Sequence, residues 1–324
     1  MHRFWSSKSR ANNGGENKRS CVIDPNASPD FLCVGAQKGG TTWLFHQLDA
    51  HEDFWMPPLK EVNYFDNMSR SRHPDRAARS NLRLRDERDR HFLEAMESLC
   101  RQQHIDLDRY AQLFASKGAL LSGDVSPSYC IVPEEIITHI VERFHRLKVI
   151  FIARDPVERA WSDLSMAVRC GGVLPFDASN CDEVIRNLLH PDIVTRSFQS
   201  TIVARWQRHV PSEQFRVYFF DDLESNPAKL QYSIIRFLGG DPTKSNGRIK
   251  AEGKINETEK KLPLTESVRS QVARFFEQEL KTCAAKLGGP AKRWPARYGI
   301  FSILWFLQLV CGCDDFSLDL FIWC

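Results

Sequence analysis

Paired cysteines, a surplus of either charge and an apolar leader are all missing from this sequence, and each absence removes a class of protein. The ten cysteines, at 21, 33, 100, 130, 170, 181, 283, 311, 313 and 324, have neither the spacing of a disulfide framework nor that of paired CxxC zinc ligands. Such a set suits a reducing compartment. Cys311 and Cys313 form a CxC with no histidine or second cysteine pair nearby, so no metal site is expected. Setting 41 acidic residues against 44 basic ones leaves +3, too little to make nucleic acid the main partner, and any anion site must therefore be local. The opening residues MHRFWSSKSRANNGGENKRS carry no apolar central stretch, which argues against export by a signal peptide and makes a cytoplasmic protein the expectation. What remains is ordinary: 324 residues, 42% hydrophobic and 26% charged, enough to bury a large core.

Residues 1–28 are rich in Ser, Asn, Gly, Lys and Arg and read as a flexible polar tail. From Phe31 the pattern changes. FLCVGA is a short apolar run ending at glycine, as in a buried strand, and TTWLFHQLDA then reads as a helix. Further strands are expected at ALLSG (119–123), KVIFIA (148–153) and FRVYFF (215–220). Helices are expected over 133–145, 156–169 and 226–240, each with proline near its start. This alternation predicts a single α/β domain over 29–290, with a central, mostly parallel sheet of about five strands flanked by helices and ligands at the strands' carboxyl ends. The stretch 70–109, with ten arginines and eight acids, reads as a solvated helical insertion, the alternative being a grip on an acidic acceptor. Residues 291–324 form an apolar tail of unknown role. Its GIFSILWFLQLVCGC (299–313) is short of the roughly 20 residues of a spanning helix, which suggests a buried segment or peripheral membrane association.

The chemistry concentrates in GAQKGGTTW (35–43). A glycine turn between strand and helix aims backbone amides and the helix's positive end at one point, where an anion belongs. The spacing is not the Walker GxxxxGK(S/T), because Lys38 precedes the glycine pair, and a GxGxxG is also absent. GAQKGGTTWL resembles the 5'-phosphosulfate loop of the sulfotransferases that use 3'-phosphoadenosine 5'-phosphosulfate (PAPS), whose fold is P-loop-like. In that family a strand ends in an arginine followed eight residues later by a serine, both holding the 3'-phosphate. KVIFIARDPVERAWSDL supplies Arg154 and Ser162 in that arrangement, about 115 residues after the first loop. A forked guanidinium at a strand end is suited to such a phosphate.

PPLKEVNYFD (57–66) resembles the KExxxF segment of heparan sulfate and related carbohydrate sulfotransferases, which makes Glu61 the implied base, with Lys60 beside it; otherwise the two form a surface ion pair. GDVSPSY (123–129) resembles the family's SPxY segment, implying that Ser126, Pro127 and Tyr129 shape the cleft, although Val125 stands where many heparan-type enzymes have lysine. A basic loop closes the donor site in the family, and 247–261 offers Arg248, Lys250 and Lys254 for that role. The resemblance thus implies sulfuryl transfer from PAPS to a hydroxyl or amine of a carbohydrate, glycolipid or small molecule, with PAP as product, no metal and no nucleic-acid partner. Lys38, Gly39, Gly40, Thr41 and Thr42 would hold the donor's 5' end, with Lys38 neutralising charge on the leaving phosphate, and Trp43 would be a further donor contact bordering the purine. Trp43 and Trp206 otherwise read as packing residues, and His46 and His51 as alternative bases. The rival readings are a nucleotide kinase with an atypical phosphate loop and a non-catalytic nucleotide- or glycan-binding protein.

Overall fold

The structure, a computed structural model, describes residues 24–69, 84–244 and 262–300. Arg248, Lys250 and Lys254, and the apolar stretch from 301 onward, lie outside these residues. The chain runs β1 (Phe31–Cys33), α1 (Thr41–Asp49), α2 (Tyr64–Ser69), α3 (Glu87–Leu99), α4 (Leu107–Ala111), β2 (Gly123–Val125), α5 (Glu134–Arg143) and β3 (Lys148–Ala153). It continues through α6 (Pro156–Arg169), α7 (Cys181–Leu188), α8 (Pro191–Val194), α9 (Gln199–Gln207), β4 (Phe215–Phe219), α10 (Phe220–Ser225), α11 (Pro227–Leu238), α12 (Glu266–Phe275) and α13 (Glu277–Leu287).

Among the described residues the sheet has four strands in the order β2-β1-β3-β4, one fewer than expected, and every pairing is parallel. Two expectations need correcting. The ALLSG run does not form a strand: Leu121 makes an isolated parallel bridge to Phe54, and continuous pairing starts at Gly123. Phe220 leaves the sheet to open α10. Helix α6, by contrast, spans 156–169 as expected, because Asp155 caps Val157 at 3.0 Å and Pro156 supplies a preset first residue.

Strand alternation divides the core between the two faces of the sheet. Phe31, Cys33, Ile150 and Ile152 point to one side, against Trp43, Leu44 and Leu48 of α1 and Ile234, Ile235 and Leu238 of α11. Leu32, Val149, Phe151 and Ala153 point to the other, into a larger core shared with α3, α5, α6, α9, α12 and α13. Strands β1 and β3 are thus buried on both sides, which is why they read as continuous apolar runs, whereas β4 leaves Arg216 exposed. Ends of the domain are tied in as well. Ala27 is buried, Lys117 donates to the Ser28 carbonyl at 2.9 Å, and Trp294 is fully enclosed. The insertion helix α3 buries Phe92, Ala95, Met96 and Leu99 along one stripe, together with Asp89, whose carboxylate is paired with Arg85. Among the described residues no helix is long and apolar enough to cross a membrane.

Asp155 carries a pH signature. Burial pushes its carboxyl up from 3.8 to about 6, against the Tyr298 hydroxyl and the Arg297 guanidinium, which pull it down. A carboxyl raised by folding holds its proton more tightly in the native state, so its stabilising contribution is full below pH 3.8 and disappears as pH rises through 6. Measured against Asp155→Asn, whose amide does not titrate, native stability should fall by about 3 kcal/mol across this window. Urea midpoints taken at a series of pH values check this; a constant difference between the two proteins would refute it.

Candidate active site

The carboxyl ends of three of the four strands lead directly into residues that the motifs single out, and the fourth leads into an aromatic residue beside them. Strand β1 runs into the glycine loop, β2 into Ser126, β3 into Arg154 and β4 into Phe220. In an open parallel sheet that edge is where ligands bind.

The loop is held against the sheet by its own backbone. Ala36 donates to the Ile152 carbonyl and Gly39 to the Ala36 carbonyl, both at 2.9 Å. Only glycine fits at 39, because a Cβ there would stand 2.5 Å from the Ile152 oxygen. Gly40, at φ 94°, is the left-handed cap of α1 and supplies no side-chain acceptor to the first turn. No acid stands in that turn either, so the positive end of α1 has no side-chain counter-charge within its own first turn. Lys38 takes a left-handed backbone at φ 70°, unusual for a residue with a Cβ. Its ammonium reaches α6, where Nζ lies 3.6 Å from Met166 Sδ. Burial lowers its pKa; Asp163 opposes this, while Arg169, Arg154 and Arg159 add to it. The lysine therefore sits in a surplus of positive charge that an incoming anion would relieve.

Arg154 joins this loop across 116 positions of chain: its Nη1 donates to the Lys38 carbonyl at 2.8 Å. The guanidinium also lies over the Phe220 ring, 4.2 Å from its centroid. Its main chain is bracketed by Gln199, whose Oε1 accepts from Arg154 N at 2.9 Å and whose Nε2 donates to Arg154 O. Arg154 Nε is buried without a partner among the described residues, and burial lowers the group's pKa. An unsatisfied donor on a desolvated cation fits an anionic ligand. Ser162 is half-buried on α6, one turn before Met166 and thus on the helix face that Lys38 touches. Arg159 proves to be an interior residue, fully enclosed, with Asp163 at 3.2 Å and Ser197 Oγ at 2.9 Å from its guanidinium.

Lys60 and Glu61 form an ion pair near the end of β1, where their charges act on the Cys33 thiol. The following residues hang from β2: Asn63 N donates to Ser126 Oγ at 3.0 Å and Tyr64 N to Tyr129 OH at 3.1 Å. Behind them Asp124 is almost fully buried, accepting from Ser126 Oγ at 2.6 Å, Tyr129 OH at 2.7 Å and Tyr110 OH at 3.0 Å. Burial raises its pKa, and the three hydroxyls counter that rise.

The alternative bases fare differently. The His51 ring is occupied on both sides, with Nδ1 accepting from Asp53 N and Nε2 donating to Asp241 O, away from the loop. His46 lies in the last turn of α1, edge-on to Phe45. Trp43 and Trp206 are both core residues, 4% and 0% exposed. Sequence reasoning missed Arg196, which donates to Gln37 within the loop, as well as Gln199 and Phe220. Phe220 had a signal, the strand-end position; the other two meet the loop and Arg154 only through tertiary contact.

Residues 29–243 match a family model described as the Sulfotransferase family. Over 224 residues the chain is 21% identical to heparan sulfate glucosamine 3-O-sulfotransferase 5 of Mus musculus, a match covering 66% of this chain and 54% of that protein, so it spans about half the length of the curated relative. Among solved structures, the sulfotransferase from Alicyclobacillus acidocaldarius is similar in fold, with a TM-score of 0.58 at 22% identity over 83% of this chain and 99% of that one. With the family model covering more than half of its length, and a glycine loop and strand-end arginine joined at the sheet's carboxyl edge, the chain belongs to the sulfotransferase family.

Proposed function

We propose that the protein transfers a sulfuryl group from PAPS to a hydroxyl or amine of a carbohydrate, glycolipid or small-molecule acceptor. The observation that carries this reading is the 2.8 Å bond from Arg154 to the Lys38 carbonyl. It gathers into one site two cationic grips that a nucleotide phosphorylated at both 5' and 3' positions requires. PAPS, when bound, supplies the sulfuryl group and departs as PAP. The residues fit it: the first turn of α1 carries no acid, and Arg154 Nε is a buried donor without a partner among the described residues.

Lys38 offsets the negative charge that builds on the leaving phosphate, and its pKa, lowered by burial, rises toward normal as that charge grows. Amides of the first turn of α1 and the hydroxyls of Thr41 and Thr42 cradle the 5'-phosphate. Arg154 and Ser162 take the 3'-phosphate. Glu61 accepts the acceptor's proton once Lys60, its present partner, turns to the substrate. Positioning and electrostatics carry the reaction, as in phosphoryl transfer. Val125, buried in β2, offers no cation on the acceptor side, which favours an acceptor other than a highly acidic polymer.

Incubation with radiolabelled PAPS and fractionated lipids, glycans and metabolites tests the reading by asking which fraction gains label. Dependence on ATP and magnesium would point instead to a kinase, and donor binding with no labelled fraction to a binding protein. Lys38→Ala should lower kcat about 100- to 1,000-fold. Arg154→Ala should raise the donor's Kd about tenfold or more, read by calorimetry. Equal and negligible effects of both would end the assignment. Glu61→Gln should cut kcat at least about 100-fold with donor Kd unchanged; retained turnover would move the base role to His46.

A further inference from the structure

Two strand ends build the donor grip, and each continues into an acid. Arg154 is followed by Asp155 after β3, and Phe220 by Asp221 after β4. The first members of these pairs stack at 4.2 Å. The second members share partners from the far end of the chain. Arg297 donates from Nη1 to Asp155 Oδ2 at 3.3 Å and from Nη2 to Asp221 Oδ1. The Tyr298 hydroxyl donates to Asp155 Oδ2 at 3.0 Å, and Trp294 Nε1 to Asp221 Oδ2 at 3.1 Å. Trp294 is fully buried, edge-on to Phe219 at 6.0 Å, so these short turns over 289–293 and 295–298 are anchored in the core. A cavity of about 280 Å³ opens between them, lined among others by Arg154, Asp155, Phe220, Asp221, Arg297 and Tyr298.

We propose that Arg297 and Tyr298 are positioning residues of the donor site: Arg297 bridges Asp155 and Asp221 and so locks the ends of β3 and β4 together, Tyr298 holds Asp155 in that bridge, and the pair keeps Arg154 and Phe220 where the 3'-phosphate is gripped. This rests on the donor reading above. Both residues lie beyond the 29–243 family match. Asp155 is 2% exposed, and burying its carboxylate requires these donors. Arg154 cannot shift without moving Asp155, its neighbour in the chain, and Asp155 is at once the cap of α6 and the acceptor of two C-terminal donors.

Calorimetric titration of Tyr298→Phe and Arg297→Lys separates positioning from general support. The ligands are PAPS and adenosine 5'-phosphosulfate, which lacks the 3'-phosphate, with no acceptor present. Tyr298→Phe should weaken PAPS binding about 5- to 20-fold, the effect of losing one hydrogen bond to a buried charge, and leave adenosine 5'-phosphosulfate within about twofold. Arg297→Lys should give a smaller loss in the same direction, since a lysine keeps the charge but not the fork, and thermal unfolding by circular dichroism verifies that each variant is folded. Unchanged PAPS affinity in both folded variants overturns the inference. So does an equal loss for both ligands, which would mark a purely structural role. Wild-type protein that binds neither ligand would sink the donor reading itself, and this inference with it.

Discussion

The 2.8 Å bond from Arg154 to the Lys38 carbonyl is the contact on which the rest of the site depends. It sets the distance between the loop after β1 and the end of β3. Neither partner sets this distance alone. The loop is hydrogen-bonded to Ile152, a residue of the strand that leads into Arg154, and Gln199 clamps the arginine's backbone from α9. A guanidinium that donates one N–H to a carbonyl is aimed by it, leaving its other donors for a ligand.

Around that contact positive charge is concentrated and only partly neutralised. Arg159 and Asp163 satisfy each other inside α6, and Asp163 also offsets the cost of burying Lys38. Lys38 and Arg154 both have lowered pKa values, burial being the main cause. On the proposed reading, a polyanion entering here would give up hydration and meet cations already desolvated by the fold. That is electrostatic preorganisation in its simplest form. The net charge of +3 for the whole chain does not reveal it, because acids elsewhere balance the sum.

Much of this was legible in the sequence, for physical reasons that can be named. Pro156 after an apolar run fixed the start of α6, and the glycine pair announced the tight loop after β1, because only glycine at 39 lets the backbone approach Ile152 so closely. The run ALLSG misled, since apolar content alone cannot say where pairing begins; Gly123, pressed against Phe31, begins the ladder instead. The roles of Gln199, Arg196, Arg297 and Tyr298 had no local signal. Tyr298 meets Asp155 across 143 positions, and nothing in either neighbourhood announces the other. An extended reading of 291–324 as an apolar tail passed over Trp294, which closes the core under β4.

Asp124 carries a consequence of a different kind. It and its hydroxyl partners suspend Asn63 and Tyr64, and hence the Lys60–Glu61 segment, from the outermost strand of the sheet. The loop, Arg154 and Phe220 belong to the other three strands. One end of the sheet can therefore be remodelled while the rest stays fixed. A border strand tethered through one interior carboxylate is where divergence disturbs least.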